Sequence, residues 1–137
     1  MIKLDAVHQN FLAGMSLLMV DDGALHHFVV EQACKKLQLS FEGAQTEEEA
    51  LAFYEAGRRF DIVLMDIHIG SDALGYDVAR KILEIDPKAL IISFSSDPIA
   101  IRMEKGEGIM VGHLEKTGAV NYLCPELYKI LKPISKM

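Results

Sequence analysis

The sequence predicts an α/β domain built on an open, five-stranded parallel sheet with helices on both faces. Three observations carry that prediction. Short apolar runs without alternation stand at Leu17-Leu18-Met19-Val20, Ile62-Val63-Leu64-Met65 and Leu90-Ile91-Ile92, which is the texture of strands covered on both sides. Helical periodicity fills the intervals between them. The chain has 137 residues, half of them hydrophobic, enough to bury one core and too few for two ordinary domains.

Before the first strand, Leu4, Val7, His8, Phe11 and Leu12 fall on one helical face, so residues 1–14 read as an N-terminal extension forming a short helix packed on the domain, in preference to a partner-binding segment. Leu17 to Val20 is the first strand. Phe28, Val29, Ala33 and Leu37 recur at three- and four-residue spacing and mark the helix after it, with His26 and His27 at its exposed start. A second strand is expected near Phe41 to Ala44. Ala50, Leu51, Phe53 and Tyr54 mark the next helix, with Thr46 and Glu49 as its capping box and Gly57 ending it in a left-handed conformation. After the third strand, Val78, Ile82 and Leu83 mark a helix that Asp86-Pro87 stops. Asp97-Pro98 supplies an N-cap and a first-turn proline for the helix after the fourth strand. The fifth strand is expected near Ile109 to Glu115, and Pro125 suits the first turn of a last helix through Leu127, Ile130 and Leu131. Five such steps give an open sheet with right-handed crossovers.

Composition excludes several classes of function. No apolar stretch approaches the ~18 residues of a membrane span, and the opening Met1-Ile2-Lys3-Leu4-Asp5 does not resemble a secretory signal, so a cytoplasmic protein without a membrane partner is expected. A formal charge of −6 repels nucleic-acid phosphates, and Lys35-Lys36 and Arg58-Arg59 are too short to make a basic patch. Cys34 and Cys124 lie far apart with no metal-ligand spacing, so both are expected as reduced thiols.

In an open parallel sheet, ligands bind beyond the carboxyl ends of the strands. The first strand ends in Asp21-Asp22, the third in Asp66, the fourth in Ser93-Phe94-Ser95-Ser96 and the fifth in Glu115-Lys116. Taken singly each is ordinary, since a strand-end aspartate is commonly a turn or cap residue and a lone lysine is commonly a solvated one. Their joint occurrence at four strand ends points to chemistry. Three carboxylates converging at one edge repel one another unless a cation neutralises them, and an oxygen-only donor set favours Mg2+ or Mn2+. Lys116 and Ser95 add a positive charge and a hydroxyl donor, which with the metal make a clamp for a transferring phosphoryl group. The Asp66 carboxylate is then placed to act as nucleophile.

Over Met15 to Lys132 these residues resemble the CheY-like receiver-domain family of two-component signalling. The marks are Leu17 to Asp22, Asp61 to Ile69 with Gly75 beyond, Ile91 to Ser95 and Gly112 to Lys116. The resemblance implies the flavodoxin-like receiver fold over residues 15–137. It implies Asp66 as the phosphoacceptor, Mg2+ held by Asp21, Asp22, Asp66 and the backbone carbonyl of His68, Ser95 as the switch hydroxyl, and Lys116 paired with Asp66 before phosphorylation. It further implies a signalling switch with slow autodephosphorylation more than an enzyme. The phosphoryl group would come from a histidine kinase or phosphotransfer protein. After Lys116 one helix and a short tail remain, so output is expected through a downstream partner, a relay or a homodimer.

The sequence also departs from the family. His113 stands where an aromatic switch residue is usual, Thr117 replaces a proline, and the loop Gly70 to Gly75 lacks the common Met-Pro pair, with Asp72 read as a loop residue. His113 therefore reads more simply as a surface histidine, the other reading being a switch residue beside Ser95 whose imidazole titrates near neutral pH. His68 and Asp97 flank the expected path of attacking water and are candidates for tuning dephosphorylation. The departures motivate an alternative, a pseudo-receiver that is never phosphorylated and acts as a protein-interaction module. A metal-dependent phosphohydrolase would need a second acid near Asp66, which Asp66-Ile67-His68 does not supply.

Overall fold

The computed structural model describes residues 7–8, 10–69, 73–95, 109–116 and 119–135. The elements run β1 (Ser16–Val20), α1 (Ala24–Leu37), β2 (Ser40–Ala44), α2 (Glu47–Glu55), β3 (Ile62–Met65), β4 (His68–Ile69), β5 (Ala73–Leu74), α3 (Gly75–Ile85), β6 (Ile91–Ser95), β7 (Gly112–Glu115) and α4 (Ala119–Ser135). Five strands form one sheet in the order β2-β1-β3-β6-β7, and every pairing in it is parallel. The predicted α/β class is therefore observed, with every strand presenting its carboxyl end at the same edge. The order reverses between β1 and β3, the switch point where such sheets open a crevice.

Alternate side chains of each strand serve different layers. Leu17, Met19, Ile62, Leu64, Ile92, Phe94 and Leu114 pack with Val30, Ala33, Cys34 and Leu37 of α1 and with Leu123, Leu127 and Leu131 of α4. Leu18, Val20, Val63, Met65 and Ile91 pack against Ala50 and Tyr54 of α2 and Val78, Ala79 and Ile82 of α3. Burying such an aliphatic side chain stabilises the fold by about 1.5–3 kcal/mol, so unbroken apolar runs are what a doubly covered strand requires. Burial also holds the Cys34 thiol up, to a pKa of about 12, so it stays protonated at neutral pH.

The ends of α2 match the expected signals closely. Thr46 Oγ1 accepts from the Glu49 N–H at 3.1 Å, while the Glu49 carboxylate reaches back one residue further than a capping box requires and accepts from Gln45 N–H at 2.7 Å. At the other end Gly57 has φ +91°, and the N–H groups of Gly57 and Arg58 bond to Tyr54 and Phe53 carbonyls, a Schellman ending. The third helix stops at Ile85, just before Asp86-Pro87.

Four expectations need correction. In α1 the buried stripe is Val30, Ala33, Cys34 and Leu37, while Phe28 is 58% exposed, because the helix turns its Val30 face to the sheet. The fifth strand begins at Gly112, leaving Ile109 to Val111 outside it. Pro125 lies inside α4 and not in its first turn, since the helix starts at Ala119. The proline forfeits one hydrogen bond, and the Leu123, Leu127 and Leu131 stripe buried against the sheet carries the helix through it. Finally, β4 and β5 pair as a small antiparallel hairpin where only a loop was anticipated.

Toward the N-terminus, residues 7, 8 and 10–12 are helical; the His8 ring lies 4.3 Å from that of Tyr128, and Leu12 is buried in the α1/α4 layer. Leu4, Asp72, the Asp97-Pro98 helix start and Thr117 lie outside the described residues.

Candidate functional site

Hydrogen bonding carries the sheet one residue past its strands and so fixes the acids. Beyond β1, Asp21 N–H donates to the Ala44 carbonyl at 3.0 Å; beyond β3, Asp66 N–H donates to the Val20 carbonyl at 2.8 Å. On the far side, Ser95 pairs in register with Glu115, and Lys116 N–H reaches the Ser95 carbonyl at 3.4 Å. Both backbone anchors leave the side chains of Asp21 and Asp66 at the carboxyl edge.

Carboxylate oxygens of Asp21, Asp22 and Asp66 lie within 4.8 Å of one another. Asp21 is fully buried and Asp66 nearly so, whereas Asp22 is exposed and gives the cluster its open side. Lys116 Nζ stands 3.0 Å from Asp21 Oδ2 and 3.2 Å from Asp66 Oδ2 and bridges the two buried acids. Its ammonium also lies 5.8 Å from the centre of the Phe94 ring, a cation–π contact that helps hold the half-buried side chain. Two like charges at such separations cost about 3 kcal/mol at an effective dielectric constant of ~20. Three carboxylates against one ammonium leave a formal excess of two negative charges.

That excess, the all-oxygen donor set and the burial of Asp21 Oδ2 without a well-directed hydrogen bond fit a hard divalent cation. Asp21, Asp22 and Asp66 would hold it. The His68 backbone follows two residues after Asp66, in β4. Ser95 is buried as the last residue of β6, on the β7 side of Asp66. Thus Asp21, Asp22, Asp66 and Lys116 are brought into contact distance, with Ser95 and His68 on adjoining elements. His113 pairs in register with Ser93, two residues before Ser95, and is half-buried; among the described residues its side chain makes no hydrogen bond or ion pair.

The histidines of α1 are closer to the acids than an exposed helix start implies. His26 Nδ1 is 3.2 Å from Asp21 Oδ1, which also accepts from Gly23 N–H at 2.7 Å. His27 Nε2 lies 2.6 Å from the backbone oxygen of Asp21. Both rings are half-buried. The available sequence signal was Gly43, a glycine inside a strand, which marks close approach by another group. A Cβ on Gly43 would stand 2.4 Å from His27 Nδ1. Similarly, a Cβ on Gly75 would stand 1.9 Å from the Asp66 backbone oxygen, so the start of α3 presses directly on the Asp66 main chain.

Known proteins share this architecture. Residues 17–127 match the family model described as the response regulator receiver domain. Among curated proteins, the autoinducer 1 sensor kinase/phosphatase LuxN of Vibrio campbellii is 26% identical over 108 residues; the match spans 79% of this chain and 12% of that much longer one. Among solved structures, the chemotaxis protein CheY4 of Vibrio cholerae superposes with a TM-score of 0.75 at 20% identity, covering 86% of this chain and 99% of that one. The response regulator TrrA of Thermotoga maritima gives 0.73 at 21% identity, covering 85% and 98%. Since the family match takes in all five strands of the main sheet together with the acids and the lysine, the chain belongs to the response regulator receiver domain family of two-component signalling.

Proposed function

We propose that this domain accepts a phosphoryl group on Asp66 from a phosphohistidine of a histidine kinase or phosphotransfer protein, with Mg2+ bound, and signals to a partner through the change that follows. The observation that carries the reading is Lys116 bridging Asp21 and Asp66 inside the three-acid cluster. In the transfer, an Asp66 carboxylate oxygen forms a bond to phosphorus as the donor's phosphorus–nitrogen bond breaks, and the bonding pair leaves with the imidazole nitrogen. When bound, Mg2+ or Mn2+ supplies charge neutralisation at the transferring oxygens. Lys116 moves its ion pair from the carboxylates to the new phosphoryl oxygens, and the Ser95 hydroxyl donates to another of them. His113, in register beside Ser93, and the segment after Ser95 pass the change on. The product is a switch state, lost slowly as water hydrolyses the acyl phosphate.

Two relatives support this chemistry. The matched stretch of LuxN belongs to a sensor kinase/phosphatase, and the TrrA structure is a complex with Mg2+ and a beryllium fluoride. The reading places the domain in the cytoplasm, consistent with two cysteines that lack a disulfide or metal-ligand spacing, and its downstream partner is a protein or a second copy of the domain. Among the described residues no helix is long and apolar enough to cross a membrane.

Beryllofluoride with Mg2+ tests the proposal. Amide resonances around Asp66, Ser95 and Lys116 are expected to shift together in the wild type and to stay still in Asp66→Asn. An unchanged wild-type spectrum would favour the pseudo-receiver that only docks partners.

A further inference from the structure

Asp21 is gripped at two ends by consecutive side chains. Its Oδ1 accepts from the Gly23 N–H at 2.7 Å and faces His26 Nδ1 at 3.2 Å, which leaves Oδ2 turned to Lys116 at 3.0 Å. Its main-chain oxygen meets His27 Nε2 at 2.6 Å. A carbonyl can only accept, so His27 must carry a proton on Nε2. Asp21 is the first residue past β1, and its carbonyl therefore sits where the ladder to β2 has ended. The imidazole replaces the missing strand as donor.

The ring's seat is built by β2. Phe41 meets His27 edge-on with ring centres 6.2 Å apart, and Gly43 leaves open the space in which Nδ1 lies. A residue with a Cβ at position 43 would displace the ring. Gly23 is constrained in the same way, since a Cβ there would stand 2.8 Å from His26 Nδ1. The consecutive histidines and the two glycines thus form one unit around a single acid.

We infer that His27, seated on Gly43 and Phe41, is a positioning residue for the cation site, holding the Asp21–Asp22 turn so that both carboxylates meet the ion. The inference rests on the Mg2+-dependent reading above. His27 acts through the main chain of Asp21 and touches neither ion nor phosphoryl group. Groups that orient metal ligands are worth roughly 10–100-fold in affinity.

Calorimetric titration of Mg2+ alone into the unphosphorylated protein reads the effect. His27→Ala is expected to weaken binding by roughly tenfold or more, Gly43→Ala to do the same by pushing the ring away, and His27→Gln to restore much of it through an amide N–H. With acetyl phosphate as donor, His27→Ala should raise the Mg2+ concentration for half-maximal phosphorylation while the rate at saturating Mg2+ is retained. A purely structural role would lower the melting temperature and leave the Mg2+ dissociation constant alone, and that result overturns the inference. Should His27→Ala fail to fold, long-range 1H–15N correlation on the wild type decides, because a neutral ring with its proton on Nδ1 also overturns it. Equal Mg2+ binding by folded wild type and His27→Ala removes His27 only; absence of binding in both removes the Mg2+-dependent reading as well.

Discussion

Two aspartates bracket the same strand and do different work. Asp61 precedes β3 and Asp66 follows it, with the apolar run Ile62–Met65 between them. Asp61 is exposed, and its Oδ2 accepts from the Ser16 N–H at 2.9 Å and the Ser16 hydroxyl at 3.3 Å, tying the start of β3 to the start of β1. Asp66 is 5% exposed and shares its lysine with another buried acid. The parallel sheet makes the difference: at the amino edge an acid finds backbone donors, while at the carboxyl edge acids of neighbouring strands find one another. Local sequence around the two residues is similar; position on the sheet decides their chemistry.

Three measurements can break or sharpen that contrast. The largest effect is expected for Gly75→Ala, whose new Cβ collides with the Asp66 main chain, a contact that no rotamer change relieves. It should cost about 3 kcal/mol in urea unfolding, at the upper end of overpacking penalties. An unaltered midpoint would mean that the Asp66 end of β3 is not the crowded one. Mg2+ comes next. At a concentration ~100-fold above its dissociation constant it should raise the stability of the wild type and of Asp61→Asn by about 2.7 kcal/mol, and that of Asp66→Asn by far less. Equal stabilisation of all three would detach Asp66 from the cation. The smallest effect is Asp61→Ala, expected to lower stability by about 1 kcal/mol through loss of the Ser16 bonds while leaving Mg2+ affinity unchanged. A shifted Mg2+ affinity would show that the two ends of the strand are coupled.

Much of the fold was legible because its strands are doubly covered. Ile62 to Met65 was bounded to the residue, since a buried parallel strand needs an apolar side chain at every position. Thr46 and Gly57 announced the ends of α2 because capping chemistry is local. Elements settled by tertiary packing were less visible. Pro125 suits a helix start by local rules, yet the leucine stripe of α4 outweighs its local cost, and the rotation that buries Val30 leaves Phe28 in solvent. The acids and lysine could be read from strand ends because a parallel sheet turns strand ends into neighbours. His26 and His27 could not, since their importance depends on how α1 leans back over Asp21 and on a glycine of the adjacent strand. Nothing within their own helix announces that contact.

Asp66, and not its counterpart Asp61 at the other end of β3, is the residue proposed to receive the phosphoryl group. Incubation with acetyl phosphate and Mg2+ followed by intact-mass measurement tests this most directly. Wild type and Asp61→Asn are expected to gain the mass of one phosphoryl group, and Asp66→Asn to gain none. Uptake by Asp66→Asn, or no uptake by the wild type, would contradict the account.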